Sequence, residues 1–152
     1  MEDKIKIEQG DVFWLEYTAP GYDKPKPRPC VVVSGSWTIQ PTGDVLVVPM
    51  SSSIRRTDLP CNVPVGDILG VGKDSWIKTN QMMCISASQL TSKNFATNIG
   101  EENVFIVLYH ILRQLGVFQR PGDDSDLQAV AEAEAAMGMG AGEDRATYPV
   151  GG

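Results

Sequence analysis

A chain of 152 residues, 42% hydrophobic and 21% charged, is long enough for one domain with a core of its own. It holds no apolar run of about twenty residues, which excludes a membrane-spanning helix. Its opening MEDKIKIEQGD lacks the apolar stretch of a secretion signal, so a cytoplasmic protein is expected.

Asp11–Tyr17 (DVFWLEY) is rich in β-branched and aromatic residues and predicts a strand. Thr18–Pro27, broken by proline and glycine, predicts a loop. Pro29–Ser34 (PCVVVS) and Asp44–Val48 (DVLVV) are short apolar runs of the buried-strand type, joined by a loop over Gly35–Gly43. Pro49–Asp58 is a polar loop, and Leu59–Val65 a weaker strand bounded by Pro60 and Pro64. Gly66–Ser75 is a glycine-rich connection, and Trp76–Ile85 holds one or two further strands. From Glu101 to Leu115 the period changes: Val104, Val107, Leu108, Ile111, Leu112 and Leu115 form a stripe at helical spacing. Glu101 and Glu102 suit the start of that helix and Gly116 its end. Short strands followed by one helix predict a mainly β fold, a small strongly bent sheet or barrel capped by a helix.

The last part of the chain differs. Residues 121–152 are rich in glycine, alanine and acids, and Tyr148 is their single aromatic residue. Asp126–Met137 has high helix propensity but little apolar surface to dock, so a mobile acidic tail with a transient helix is expected. The division is therefore a folded domain over 1–120 and a flexible tail over 121–152. It also resolves the charge. The net charge of −6 would speak against a nucleic-acid partner, but residues 121–152 hold seven acids against Arg145 alone, while residues 1–120 hold twelve acids and twelve bases. Within the neutral part, Lys24, Lys26, Arg28, Arg55, Arg56 and Lys78 fall near loops or strand ends and form a candidate phosphate-binding patch.

Several kinds of chemistry are excluded by what is missing. The sequence has no phosphate-cradling P-loop, no HExxH and no nucleophile elbow. The cysteines Cys30, Cys61 and Cys84 lie far apart, and the single histidine, His110, sits in the helix. No metal or cofactor is therefore expected. Cys30 and Cys84, in apolar runs, read as buried thiols, and His110 as a helix-face residue. Arg28, at a loop-to-strand junction, and Ser51–Ser53, just after a buried strand, remain as polar groups where a rigid sheet can position them.

Four motifs then occur in order: Gly10-Asp11-Val12; Arg28-Pro29-Cys30-Val31-Val32-Val33-Ser34; Val48-Pro49-Met50-Ser51-Ser52; and Asn80-Gln81 followed by Ser88-Gln89-Leu90. Together they resemble the MazF/PemK (Kid) toxins over about residues 9–117. The resemblance implies an SH3-like barrel with a C-terminal helix, a homodimer, an acidic antitoxin partner and metal-independent cleavage of single-stranded RNA. The products would be a 2′,3′-cyclic phosphate and a 5′-hydroxyl. It assigns catalysis to Arg28, Ser51 and Lys78. Beside these, the candidate RNA contacts are Asp23, Lys24, Lys26, Ser52, Arg55, Arg56, Asn80 and Gln81. Asn80 departs from the family pattern, which has an aspartate there, and an amide is no general base at neutral pH. Asp23 is the nearest replacement carboxylate in sequence. The competing expectation is a non-catalytic binder on the same fold, acting on a host protein as the gyrase poison CcdB does, or a toxin that has lost its activity.

Overall fold

A computed structural model describes residues 5–117 and 124–137. The elements in order are β1 (Asp11–Tyr17), β2 (Lys26–Val32), α1 (Ser36–Thr42), β3 (Asp44–Ser51), β4 (Asn62–Gly66), β5 (Ser75–Lys78), β6 (Met83–Ser86), a 3-10 turn (Ala87–Gln89), β7 (Phe95–Asn98), α2 (Glu101–Gln114) and α3 (Asp124–Ala136). The strands pair antiparallel in the order β4-β5-β3-β2-β1-β7, and β6 joins β3 beside that path. β3 changes partner along its length: Asp44–Val47 pairs with β6, while Met50 and Ser51 pair with β5. This exchange bends the sheet into a half-barrel, mainly β with a terminal helix, as the order of strand-like and helix-like segments predicted.

Alternation along the strands makes two apolar layers. Val12, Val31, Val48, Met50 and Ile77 pack on one side with Val107 and Ile111 of α2. Phe13, Leu15, Cys30, Val32, Val45 and Val47 pack on the other, closed by Ile39 of α1 and by Leu90. The central strands therefore read as unbroken apolar runs because both of their faces are covered. In α2, Glu101 and Glu102 occupy the first turn and Arg113 the last, matching the helix dipole. Its stripe is buried at Val107 and Ile111, whereas Leu112 and Leu115 are exposed.

Other expectations need correction. The segment Gly35–Gly43 is no simple loop, because α1 forms within it despite Pro41 and closes on Gly43 at φ 71°. β3 runs on through Pro49 to Ser51, where a loop was expected. β2 begins at Lys26 and includes Pro27 and Pro29. The prolines are tolerated for a directional reason. Val32 accepts from Gly10 on the β1 side, and Val33 donates to Leu46 on the β3 side. Backbone groups alternate along a strand, so Pro27 and Pro29 aim their missing donors toward β3, which pairs with β2 only from Cys30 onward. By the same alternation Pro49 faces the step between β6 and β5. β7 was not anticipated at all. Cys30 is buried as expected, but Cys84 is exposed, since it pairs with the outward-facing Leu46.

The helix propensity noted over Asp126–Met137 corresponds to α3; the rest of the expected tail, 121–123 and 138–152, lies outside the described residues. Among the described residues no helix is long and apolar enough to cross a membrane.

Candidate functional site

Register brings the expected catalytic residues onto one face. On β2 and β3 the pairs are Val32↔Val47, Val31↔Val48 and Cys30↔Pro49. Arg28 lies two residues before Cys30, and Ser51 two after Pro49. By strand alternation Arg28 shares the face of Cys30, and Ser51 shares the face of Pro49, the residue paired with Cys30. Ser51 pairs in turn with Trp76 of β5, and Lys78 follows Trp76 on the same face. Arg28, Ser51, Trp76 and Lys78 are all half-buried.

Arg28 is held by aromatic rings. Its partner on β1 is Leu15, and the diagonal neighbour beyond is Tyr17, whose ring centre lies 5.8 Å from the guanidinium carbon. The ring of Tyr22, from the β1–β2 loop, lies closer at 4.8 Å. The Arg28 Nε is buried and has no hydrogen-bond partner. Burial, with Cys30 adding to it, pushes the Tyr17 phenol up to about 12, against the opposing pull of Arg28. Burial also raises the Cys30 thiol to about 12. Both groups thus stay protonated near neutrality and serve as packing beside the cation.

The Ser51 hydroxyl accepts from the Ser53 amide at 3.1 Å and so shapes the chain leaving β3. Lys78 pairs with Asn62 across β4 and β5. The buried Asn62 donates to the Arg56 carbonyl at 2.6 Å, tying the β3–β4 loop to the sheet. That loop carries Ser52, Arg55 and Arg56, all exposed. Arg56 is engaged by Asp58, with contacts of 2.8 and 2.7 Å. This pairing holds the Asp58 carboxyl near 2 and neutralises one charge of the expected patch.

Asn80 is exposed in the turn after β5, which closes through a bond from the Gln81 amide to the Lys78 carbonyl at 3.2 Å. Asp23 and Lys24 are exposed in the β1–β2 loop, and Lys26 is exposed opposite Tyr17. His110 is buried on α2 and bonded to the Pro60 backbone, with its pKa pushed down to about 4 chiefly by burial. It is a neutral packing residue. Tyr22, Tyr17, Trp76 and Asn62 were missed by the sequence reading; the aromatic content of DVFWLEY and PGYDK was a visible but ambiguous signal.

A bent antiparallel half-barrel with a helix on one layer is the fold of a known class of small toxins. The sequence matches the PemK-like, MazF-like toxin of type II toxin–antitoxin systems over residues 8–115, and the chain belongs to that family. No curated protein sequence matches it. Solved structures share the fold. MazF from Deinococcus radiodurans superposes with a TM-score of 0.60 at 19% identity, covering 74% of this chain and 98% of that one. An endoribonuclease from a mycobacterial species gives 0.58 at 15%, covering 76% and 96%. An endoribonuclease in complex with its cognate antitoxin, also mycobacterial, gives 0.58 at 18%, covering 75% and 99%.

Proposed function

We propose that this chain is a toxin that cleaves single-stranded RNA, using the 2′-hydroxyl of the substrate as the nucleophile. The observation that carries the reading is the gathering of Arg28, Ser51 and Lys78 on one face of three neighbouring strands. In the reaction the 2′-oxygen bonds to the adjacent phosphorus and the 5′-oxygen leaves, giving a 2′,3′-cyclic phosphate and a 5′-hydroxyl. Arg28 stabilises the charge on the phosphorane, where a guanidinium can grip two oxygens. Ser51 donates to a phosphate oxygen, and Lys78 gives a proton to the leaving 5′-oxygen. Asn80 cannot accept the 2′-proton, so this reading assigns that role to Asp23 in the β1–β2 loop. Lys24, Lys26, Ser52, Arg55 and Gln81 flank the same strand ends and line the path of the strand.

Partners follow from the family. A toxin of this kind works in the cytoplasm as a homodimer under the control of an acidic antitoxin, and the mycobacterial relative captured with its cognate antitoxin supports that part. A second reading rests on Asn80: without the family's carboxylate, the same fold would serve as a binder of a host protein such as gyrase.

Incubation with a long single-stranded RNA in the presence of EDTA, followed by mapping of the ends, separates the two. Cleavage leaving cyclic phosphate and 5′-hydroxyl ends is expected, with loss on Asp23→Asn. Intact RNA would leave the binder. Cleavage abolished by EDTA and restored by magnesium would overturn the metal-independent chemistry.

A further inference from the structure

The β1–β2 loop returns Tyr22 over Arg28, and neither the fold nor the proposed reaction accounts for it. The Tyr22 side chain is 62% exposed, so it contributes little to the core. Its ring nevertheless lies 4.8 Å from the Arg28 guanidinium carbon, nearer than the strand-anchored Tyr17 at 5.8 Å. An aromatic face attracts a guanidinium through the ring quadrupole and limits its rotation. The Arg28 Nε is already buried without a partner, so a phosphate reaches the guanidinium along its terminal Nη edge. How well that edge is aimed depends on what holds the plane of the group.

We propose that Tyr22 is a positioning residue: its ring clamps the Arg28 guanidinium so that the Nη edge faces the scissile phosphate. The proposal rests on the ribonuclease reading for its consequence in catalysis, but the clamp itself is independent of that reading. It also explains why a mostly exposed aromatic residue sits in a loop built from TAPGYDKPKP. Pro20 and the glycine at φ 84°, Gly21, turn the chain back toward the sheet just before Tyr22.

The test compares Tyr22→Phe, Tyr22→Leu and Tyr22→Ala in the full chain. Phe keeps the π face, Leu keeps apolar bulk without it, and Ala keeps neither. Three readouts are needed: the kcat and KM of RNA cleavage, the affinity for a 2′-O-methyl RNA oligonucleotide that cannot be cut, and the 15N-edited Nε–H signal of Arg28. Tyr22→Phe is expected to behave like the parent. Tyr22→Leu and Tyr22→Ala are expected to lose about tenfold in kcat, within the range of a partly desolvated cation–π contact. Their Arg28 signal is expected to lose its ring-current shift, while urea midpoints stay within experimental error of the parent. Leu performing as well as Phe would overturn the clamp, as would an Arg28 signal indifferent to the ring. If the parent binds the 2′-O-methyl oligonucleotide but cuts no RNA, the ribonuclease reading falls. Weakened binding by Tyr22→Leu, but not by Tyr22→Phe, would then still support the positioning role.

Discussion

Gln114, at the end of α2, donates its side-chain amide to the hydroxyl of Thr79, and that hydroxyl donates to the Cys61 carbonyl at 2.9 Å. The Thr79 amide reaches the same carbonyl at 2.9 Å. Thr79 stands between Lys78 and Asn80, so this network joins the helix, the chain entering β4 and the end of the site strand. Thr79→Val keeps the shape and removes the hydroxyl. Because Thr79 is buried, the loss is expected to be about 1–2 kcal/mol, measured as a lower urea midpoint at unchanged m-value. Thr79→Ser should recover most of it. A Val variant as stable as the parent would show that the network is incidental.

Arg28→Ala is expected to lower RNA cleavage by at least about a hundredfold, the scale for removing one preorganised charge donor. Arg28→Lys should also be poor, since an ammonium lacks the planar fork and stacks less well on Tyr22. The measurement is single-turnover cleavage, with circular dichroism to confirm folding. A folded Arg28→Ala protein with nearly full activity would place the site elsewhere.

What could be read from the sequence depended on how each signal is generated. β1 and α2 were legible because period and composition agree over many residues. The start of β2 was hidden because Pro27 normally marks a loop, and only the pairing geometry explains why its missing donor costs nothing there. β7 (FATN) is four residues long with no sustained alternation. Cys84 looked buried because a run of apolar neighbours does not say which side of an edge strand faces water. At the site, Arg28 and Ser51 were legible as polar residues at strand ends. That they share a face was not, since a one-residue slip of register would send Ser51 to the other side. Tyr22 lies in a loop, where sequence spacing carries no information about which side chain it will cover.

His110 provides a test of stability against pH. Burial first, then the charge of Arg113, lowers its pKa from 6.5 to about 4, while the bond to the Pro60 backbone works the other way. The folded chain therefore refuses a proton that the unfolded chain accepts. The contribution is fully present above about pH 6.5 and is lost as pH falls from there through about 4. The size is on the order of 2–3 kcal/mol across the window. Urea midpoints from pH 7 to 4 should fall more steeply for the parent than for His110→Gln, which keeps a donor without the titration. Parallel curves for the two proteins would contradict the assignment.

Arg55 and Arg56 are neighbours in one loop and should behave differently toward RNA. Arg56 is committed to Asp58 by two short contacts, whereas Arg55 is exposed. Arg55→Ala is expected to reduce the salt dependence of RNA affinity by about 0.7 in the logarithmic slope, the value for one single-strand phosphate contact. Arg56→Ala should change it less. Equal slopes for the two variants, each shifted from the parent, would mean that Asp58 releases its partner when RNA binds.

The last prediction concerns residues 121–152, which carry the entire net charge of the chain. A net of −6 is the wrong sign for an RNA-binding segment and the right sign for a competitor of RNA at a basic face. The segment belongs to the same chain as Arg28, Lys78 and Arg55, so its effective concentration there can reach about millimolar. The attraction is electrostatic and falls off over about 10 Å at 0.1 M salt. A protein ended at Arg120 is therefore expected to bind and cut single-stranded RNA more strongly than the full chain at low ionic strength, and the gap should close as salt is raised. Replacing Asp123, Asp124, Asp126, Glu132 and Glu134 by their amides in the full chain should give the same gain without shortening it, which separates charge from length. Equal RNA affinity for all three proteins at low salt would reduce the segment to a spacer.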